Sequence, residues 1–210
     1  LLWATIPDHI RAIADRFPER DAIVSRHQNR RLRYAELIQH SDALAKGILA
    51  LGFHKGDRIG VWATDHIEWL LVQLATARIG VVLVNINPAY RPREPEYALQ
   101  KSPVQGLFVM PRFKSSDYLA MLKELQLTGP CCPDLRRIFV FDPAIESEDW
   151  RAVLDAGRSV SDADLDAVTV TLDPDDAINI QYTSGTTGFP KAVVLTHFNI
   201  LNNALFSAHA

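Results

Sequence analysis

Tyr182-Thr-Ser-Gly-Thr-Thr-Gly-Phe-Pro-Lys191 is the stretch on which the reading of this chain turns. Residues 177–182 before it (Ala-Ile-Asn-Ile-Gln-Tyr) and residues 192–195 after it (Ala-Val-Val-Leu) are apolar runs of strand length, and both read as buried strands. The loop between them is built from glycine, hydroxyl side chains, a proline and one lysine. Glycine lets a backbone approach a phosphate closely. Successive backbone N–H groups form a concavity that takes an anion, and lysine adds a compact positive charge.

Two other accounts compete for the same residues. A helix-capping phosphate loop needs lysine directly after glycine, then Ser or Thr opening a helix. Here Phe189 and Pro190 separate Gly188 from Lys191, and Ala192 opens a β-rich run, so that pattern fails. An ordinary hairpin connection is the second account, because Ser, Thr and Gly fill turns for conformational reasons alone. Composition does not separate it from an anion site; the order of the residues does.

That order closely resembles the phosphate-binding motif of the adenylate-forming enzymes, the acyl-CoA synthetases, adenylation domains and luciferases. Thr183, Ser184, Gly185, Thr186, Thr187, Gly188, Pro190 and Lys191, and then Thr196, His197 and Asn199, stand where the family pattern asks for them. Ala192 departs from the commoner glycine. Residues 84–91, Val-Asn-Ile-Asn-Pro-Ala-Tyr-Arg, resemble a segment of the medium- and long-chain fatty acyl-CoA synthetases, although Pro95 stands where those enzymes usually carry leucine. Pro95 suits the first position of a helix, where its missing N–H costs nothing.

The resemblance implies an AMP-forming acid–thiol ligase that makes an acyl-adenylate from ATP and a carboxylate, then passes the acyl group to coenzyme A. It assigns ATP and Mg²⁺ to Thr183, Ser184, Gly185, Thr186, Thr187, Gly188 and Lys191, and no nucleophile or general base to this chain. The carboxylate is expected to be a fatty acid. Aryl acids, amino acids or a luciferin-like acid remain within the family, and a non-catalytic nucleotide-binding module lies outside it. The family's adenine, ribose and catalytic-lysine motifs do not occur in these residues. The chain is therefore expected to be the front part of a longer enzyme and to be inactive alone.

Bulk properties fit that class. The chain has 210 residues, 48% of them apolar, a net charge of −3 and a mean hydropathy of −0.02. Acidic and basic residues are interspersed, without the clustered basic face of a nucleic-acid binder. Arg26, Arg30, Arg31 and Arg33 form the densest basic run and read as a solvated turn between strands. Cys131 and Cys132 are adjacent, which suits neither a disulfide framework nor spaced metal ligands; reduced thiols point to the cytoplasm. No apolar run reaches the roughly 18–20 residues of a membrane span.

Strand-like and helical segments alternate, which predicts an α/β fold with a largely parallel sheet. Helices are expected over residues 7–17, 34–51, 65–79, 118–127, 150–156 and 197–210, the third of them amphipathic. Strands are expected over 22–25, 58–63, 81–86, 106–110 and 137–141. Gly52 and Gly80 fall where helix C-caps belong. Residues 142–176 turn acidic and read as a surface connection. A boundary is expected there, with an α/β subdomain over 1–172 and the start of a second, with the phosphate-loop hairpin, over 173–210. His197 and Asn199 are read first as helix-start residues, and His66, Glu68 and Trp69 as surface positions.

Overall fold

The structure is a computed structural model that describes residues 1–90, 93–114, 116–124, 132–142, 148–183 and 190–209. In chain order the elements are α1 (Ile6–Arg16), β1 (Asp21–Ser25), β2 (Arg30–Arg33), α2 (Tyr34–Ala50), β3 (Arg58–Trp62), α3 (Ile67–Arg78) and β4 (Val82–Ile86). They continue with α4 (Arg93–Lys101), β5 (Gly106–Val109), β6 (Arg112–Phe113), β7 (Ser116–Asp117), α5 (Tyr118–Glu124) and β8 (Arg137–Val140). Last come α6 (Glu148–Gly157), α7 (Asp162–Thr169), β9 (Ala177–Thr183), β10 (Lys191–Thr196) and α8 (His197–His209).

Six strands form the central sheet in the order β10-β9-β4-β3-β5-β8. Every pairing in it is parallel except β9 with β10. The inner strands β3, β4 and β5 are almost continuously buried, as parallel strands covered on both faces must be. α3 and α4 lie on opposite faces. Gln73 of α3 lines a groove with Gln181 and Thr183 of β9, whereas Tyr182, which alternation points the other way, bonds to α4. A single main core gathers Trp62, Phe108, Tyr118 and Phe141 around the sheet, with Trp62 stacked on Tyr118 at 4.4 Å.

The helix ends follow from local chemistry. Thr5 caps α1 by accepting from the Asp8 N–H, and Pro7 sits in the first turn, where its missing donor is not needed. α3 stops at a glycine that closes the helix in the left-handed region: Gly80 has φ +70°, and the Val81 N–H returns to the Thr76 carbonyl. α4 begins two residues before Pro95, so the proline occupies the third position rather than the first. That is still inside the first turn, whose N–H groups have no helical partner.

Three expectations give way to the structure. The residues after Ala192 form an edge strand, not a buried one, with Val194 55% exposed; β10 has a neighbour on one side only. α3 is buried around most of its circumference, because the sheet covers one side and α1 and α2 the other. Residues 142–176 are not merely a surface connection. Within them α6 packs tightly on α2, and Val153 and Leu165 are 1% exposed. Gly47 permits that crossing. A Cβ there would overlap the Val153 carbonyl oxygen and lie 2.7 Å from its Cγ1.

The expected division at residues 172 and 173 falls in the turn between α7 and β9. β9 then pairs with β4 and so extends the sheet begun by the earlier strands. Expected helix residues 125–127 and Cys131 lie outside the described residues. Cys132 is a buried thiol.

Candidate functional site

All parallel strands of a sheet end on the same edge, and in open α/β sheets ligands bind outside the carboxyl ends. Here β4 and β9 are neighbours, with Asn85 opposite Gln181. The described ends of the two segments singled out in the sequence, residues 84–90 and 182–183, therefore lie at one edge of the sheet. β9 and β10 make the expected hairpin, with Thr183 paired to Lys191 and Tyr182 to Ala192. Thr183 and Lys191 are exposed, Pro190 is half-buried, and Lys191 forms no ion pair among the described residues. Ser184, Gly185, Thr186, Thr187, Gly188 and Phe189 lie outside the described residues, as does Arg91.

The base of the hairpin is fastened on the face that meets α4. On the α4 side the Tyr182 hydroxyl donates to the Ala98 carbonyl at 2.8 Å and lies 2.7 Å from Ser102 Oγ. Burial pushes its phenol pKa up. Tyr90 is buried nearby, its pKa raised by burial and then by Glu94 and Tyr182. The turn at Asn87–Pro88 is held from beneath. Tyr118 donates its hydroxyl to the Pro88 carbonyl at 2.7 Å, and burial pushes that phenol up to about 12.

At the far end of the hairpin stand Thr196, His197 and Asn199. Thr196 and Asn199 cap α8 reciprocally: Asn199 N–H donates to Thr196 Oγ1 at 3.2 Å, and Thr196 N–H donates to Asn199 Oδ1 at 3.0 Å. His197 is 0% exposed, and its Nδ1 accepts the Ile6 N–H at 3.1 Å. That bond ties the first turn of α1 to the first turn of α8, 191 residues apart in sequence. The histidine is thus part of the scaffold and faces no open site. Burial pushes its pKa down to about 4, against the opposing pull of Asp176 and Asp8. Between α8 and the exposed face of the hairpin runs an open groove of about 730 Å³, lined in part by Thr183, Val193, Asn203 and Phe206.

The surface reading fails for Glu68. It is 9% exposed at the start of α3, accepting from Gln28 Nε2 at 2.8 Å and from Arg30. The basic run is accordingly the β1–β2 hairpin, with Arg31 paired to Asp21 and Arg33 to Glu19. His66 and Trp69 are half-buried, and the His66 ring meets that of His27 edge-on at 4.8 Å. Among the described residues no three His, Cys, Asp or Glu side chains gather as metal ligands, and no helix is long and apolar enough to cross a membrane.

Sequence reasoning overlooked the Tyr182–Ser102–Ala98 tie, because residue spacing does not announce a partner 80 positions away. It also passed over the asparagines Asn85 and Asn179, whose amides approach at 3.4 Å between β4 and β9. Two asparagines set within apolar strand runs were the available signal, since buried amides need partners.

Residues 10–209 match the profile of the AMP-binding enzymes. YngI of Bacillus subtilis (strain 168), named as a candidate acyl-CoA synthetase, is 38% identical over 216 aligned positions, covering 97% of this chain and 39% of that protein. The mitochondrial medium-chain acyl-CoA ligase ACSF2 of Macaca fascicularis is 39% identical, covering 97% of this chain and 35% of that protein. The chain thus spans little more than a third of the length of these relatives. The crystal structure of FadD1, a long-chain-fatty-acid-CoA ligase from Archaeoglobus fulgidus, superposes with a TM-score of 0.77 at 30% identity, over 98% of this chain and 39% of that one. In sequence over nearly its whole length, and in fold, this chain belongs to the AMP-binding enzyme family.

Proposed function

We propose that this chain is the N-terminal, phosphate-holding part of an ATP-dependent acyl-CoA synthetase. The reading has the intact enzyme activate a fatty carboxylate as its acyl-adenylate and pass the acyl group to coenzyme A. The observation that carries it is the parallel pairing of β4 with β9, which brings the acyl-CoA-synthetase-like segment and the phosphate-type hairpin to one sheet edge. Family membership supports ATP as substrate, and the ligase names of the relatives support the thiol.

The roles proposed for individual residues follow from their chemistry. Attack of a carboxylate on the α-phosphate needs positioning and charge stabilisation, not a protein nucleophile. Thr183, Ser184, Gly185, Thr186, Thr187 and Gly188 would offer hydroxyl and N–H donors to the β- and γ-phosphates, and Lys191 a cation for the departing pyrophosphate. Mg²⁺ enters as the MgATP complex. The hydroxyl oxygens of Thr183, Ser184, Thr186 and Thr187 are the hard donors that this segment would offer it, and the ion would offset the charge of the phosphates. Residues 173–210 would open the subdomain that the rest of the enzyme completes, and the 210 residues alone would not adenylate. Carboxylate-dependent release of pyrophosphate by the isolated chain would overturn that last point.

For the compartment, buried reduced thiol at Cys132 fits any reducing compartment. Cytoplasm is the proposal, although the macaque relative bears a mitochondrial name. The test of function is ATP–pyrophosphate exchange by the full-length protein against carboxylates of increasing chain length. Exchange that peaks with a medium or long fatty acid is expected. A folded protein that exchanges with no carboxylate would leave a nucleotide-binding module in its place.

A further inference from the structure

We propose that Tyr182 is a positioning residue for ATP: its hydroxyl, locked between Ala98 and Ser102, sets where the phosphate-binding hairpin leaves the sheet. The inference rests on the function proposed above and names a residue that touches no substrate.

The lock has three parts. Tyr182 Oη donates to the Ala98 carbonyl at 2.8 Å, so the 2.7 Å approach to Ser102 must be a donation from Ser102 Oγ–H into the phenol oxygen. Ser102 N–H also donates to the Ala98 carbonyl, at 2.9 Å. Ser102 is 5% exposed, so water does not readily replace a lost partner. The three groups close a ring of hydrogen bonds at the end of α4, in which the Ala98 carbonyl accepts both the Ser102 N–H and the phenol.

Tyr182 is the residue before Thr183, the first hydroxyl that faces the proposed site, and the two side chains leave β9 on opposite faces. The phenol therefore acts as a peg through the sheet. It fixes the height and twist of the strand end without reaching the nucleotide. The pairing of β9 with β4 ends at Gln181, so at Tyr182 the strand is paired only with the exposed edge strand β10. Without the peg, the end of β9 is free to shift relative to α4, and only a fraction of molecules present Thr183 and Lys191 in the binding geometry. Apparent affinity falls by that fraction.

Tyr182→Phe in the full-length protein keeps the ring and removes the peg's hydroxyl. The expected result is a KM for MgATP raised roughly three- to tenfold in ATP–pyrophosphate exchange with octanoate, with kcat and the octanoate KM within about twofold of wild type. Ser102→Ala should act in the same direction. The double variant should be no worse than Tyr182→Phe, because both changes open one ring of bonds. Thr169→Val is the structural control: it removes another buried hydroxyl, at the end of α7, which lies within hydrogen-bond reach of the Arg78 carbonyl of α3 and the Leu165 carbonyl of α7. It should lower thermal stability and leave the KM for MgATP unchanged. A wild-type KM in Tyr182→Phe, or a matching KM rise in Thr169→Val, overturns the inference. If wild type binds MgATP but catalyses no exchange, the synthetase reading fails and the same comparison is made on the MgATP dissociation constant. Wild type that neither exchanges nor binds MgATP overturns both.

Discussion

Protonating His197 should unfasten the N-terminal helix from the hairpin, and the structure sets the size of the effect. Nδ1 accepts the Ile6 N–H, so the neutral ring carries its proton on Nε2. A second proton would have to go onto Nδ1, pointing at an N–H donor in a site that is 0% exposed. Burial accordingly holds the folded pKa at about 4 against an ordinary 6.5. Above pH 6.5 the ring is neutral in both the folded and unfolded states, and its contribution to stability is complete. As pH falls the unfolded chain binds the proton first, so stability declines until the folded state binds it too near pH 4. A gap of about 2.5 pH units corresponds to about 3.4 kcal/mol in full, of which about 2 kcal/mol is expressed at pH 5. With an m-value of about 2 kcal/mol/M, the urea midpoint should fall by about 1 M between pH 7.5 and pH 5 because of this one residue. Other groups titrate in the same range, so the measurement is the difference between wild type and His197→Asn, whose Oδ1 can still accept from Ile6. Tryptophan fluorescence is a suitable signal because Trp3 packs on Phe198, 5.3 Å between ring centroids, next to the histidine. Equal pH-dependent losses in the two proteins would refute the reasoning.

Three further outcomes are expected. Lys191→Ala in the full-length protein should slow adenylation on the order of 10²-fold, the scale for losing one charge-stabilising group, with an unchanged far-UV spectrum; an unchanged rate removes Lys191 from the mechanism. Gly47→Ala should destabilise by about 1–2 kcal/mol, because overpacking against the Val153 backbone outweighs the gain of about 1 kcal/mol in helix propensity; a raised melting temperature would show that α6 is free to move away from α2. Glu68→Ala should cost about 1–2 kcal/mol by stranding Gln28 and loosening the β1–β2 hairpin, read as faster proteolysis near residues 26–30; unaltered cleavage there would deny Glu68 that role.

The alternation of apolar runs was enough to place the strands of the central sheet, because β3, β4 and β5 are buried on both faces and so lack polar interruptions, whereas α4 and α7 were not placed by it. Burial of the flanking elements was harder to read. Val193 and Val194 look like core residues in a sequence, yet they sit on an edge strand, since a run of valines carries no information about how many neighbours the strand will have. The acidic stretch from 142 to 176 misled in the opposite direction. Asp155, Asp162, Asp164, Asp166, Asp173 and Asp175 are exposed, while a few small and apolar residues, Val153, Gly157 and Leu165, make the contact with α2 and the core. Of the candidate site, the hairpin and its position were legible and the fastenings were not. Tyr182, Ser102, His197 and Ile6 are brought together by chain crossings of 80 and 191 residues.

Those fastenings explain why one short motif contains residues of such different kinds. The hairpin is an edge element, and edge elements are the part of a sheet most easily displaced. Tyr182 pins its first strand to α4 on one face, and His197 pins the end of its second strand to α1. Between the two pins, Thr183 and Lys191 are exposed and directly paired across the hairpin, so the distance between the first hydroxyl and the lysine is set by sheet geometry. The two pins therefore fail differently. Loss of the Tyr182 hydroxyl should show in ATP affinity beyond whatever stability it costs, whereas protonation of His197 should appear in stability first, because it breaks the bond to Ile6 before it disturbs the pairing of Thr183 with Lys191. A variant of either residue that changed both quantities in the same proportion would mean that the hairpin moves as one body with α1 and α4.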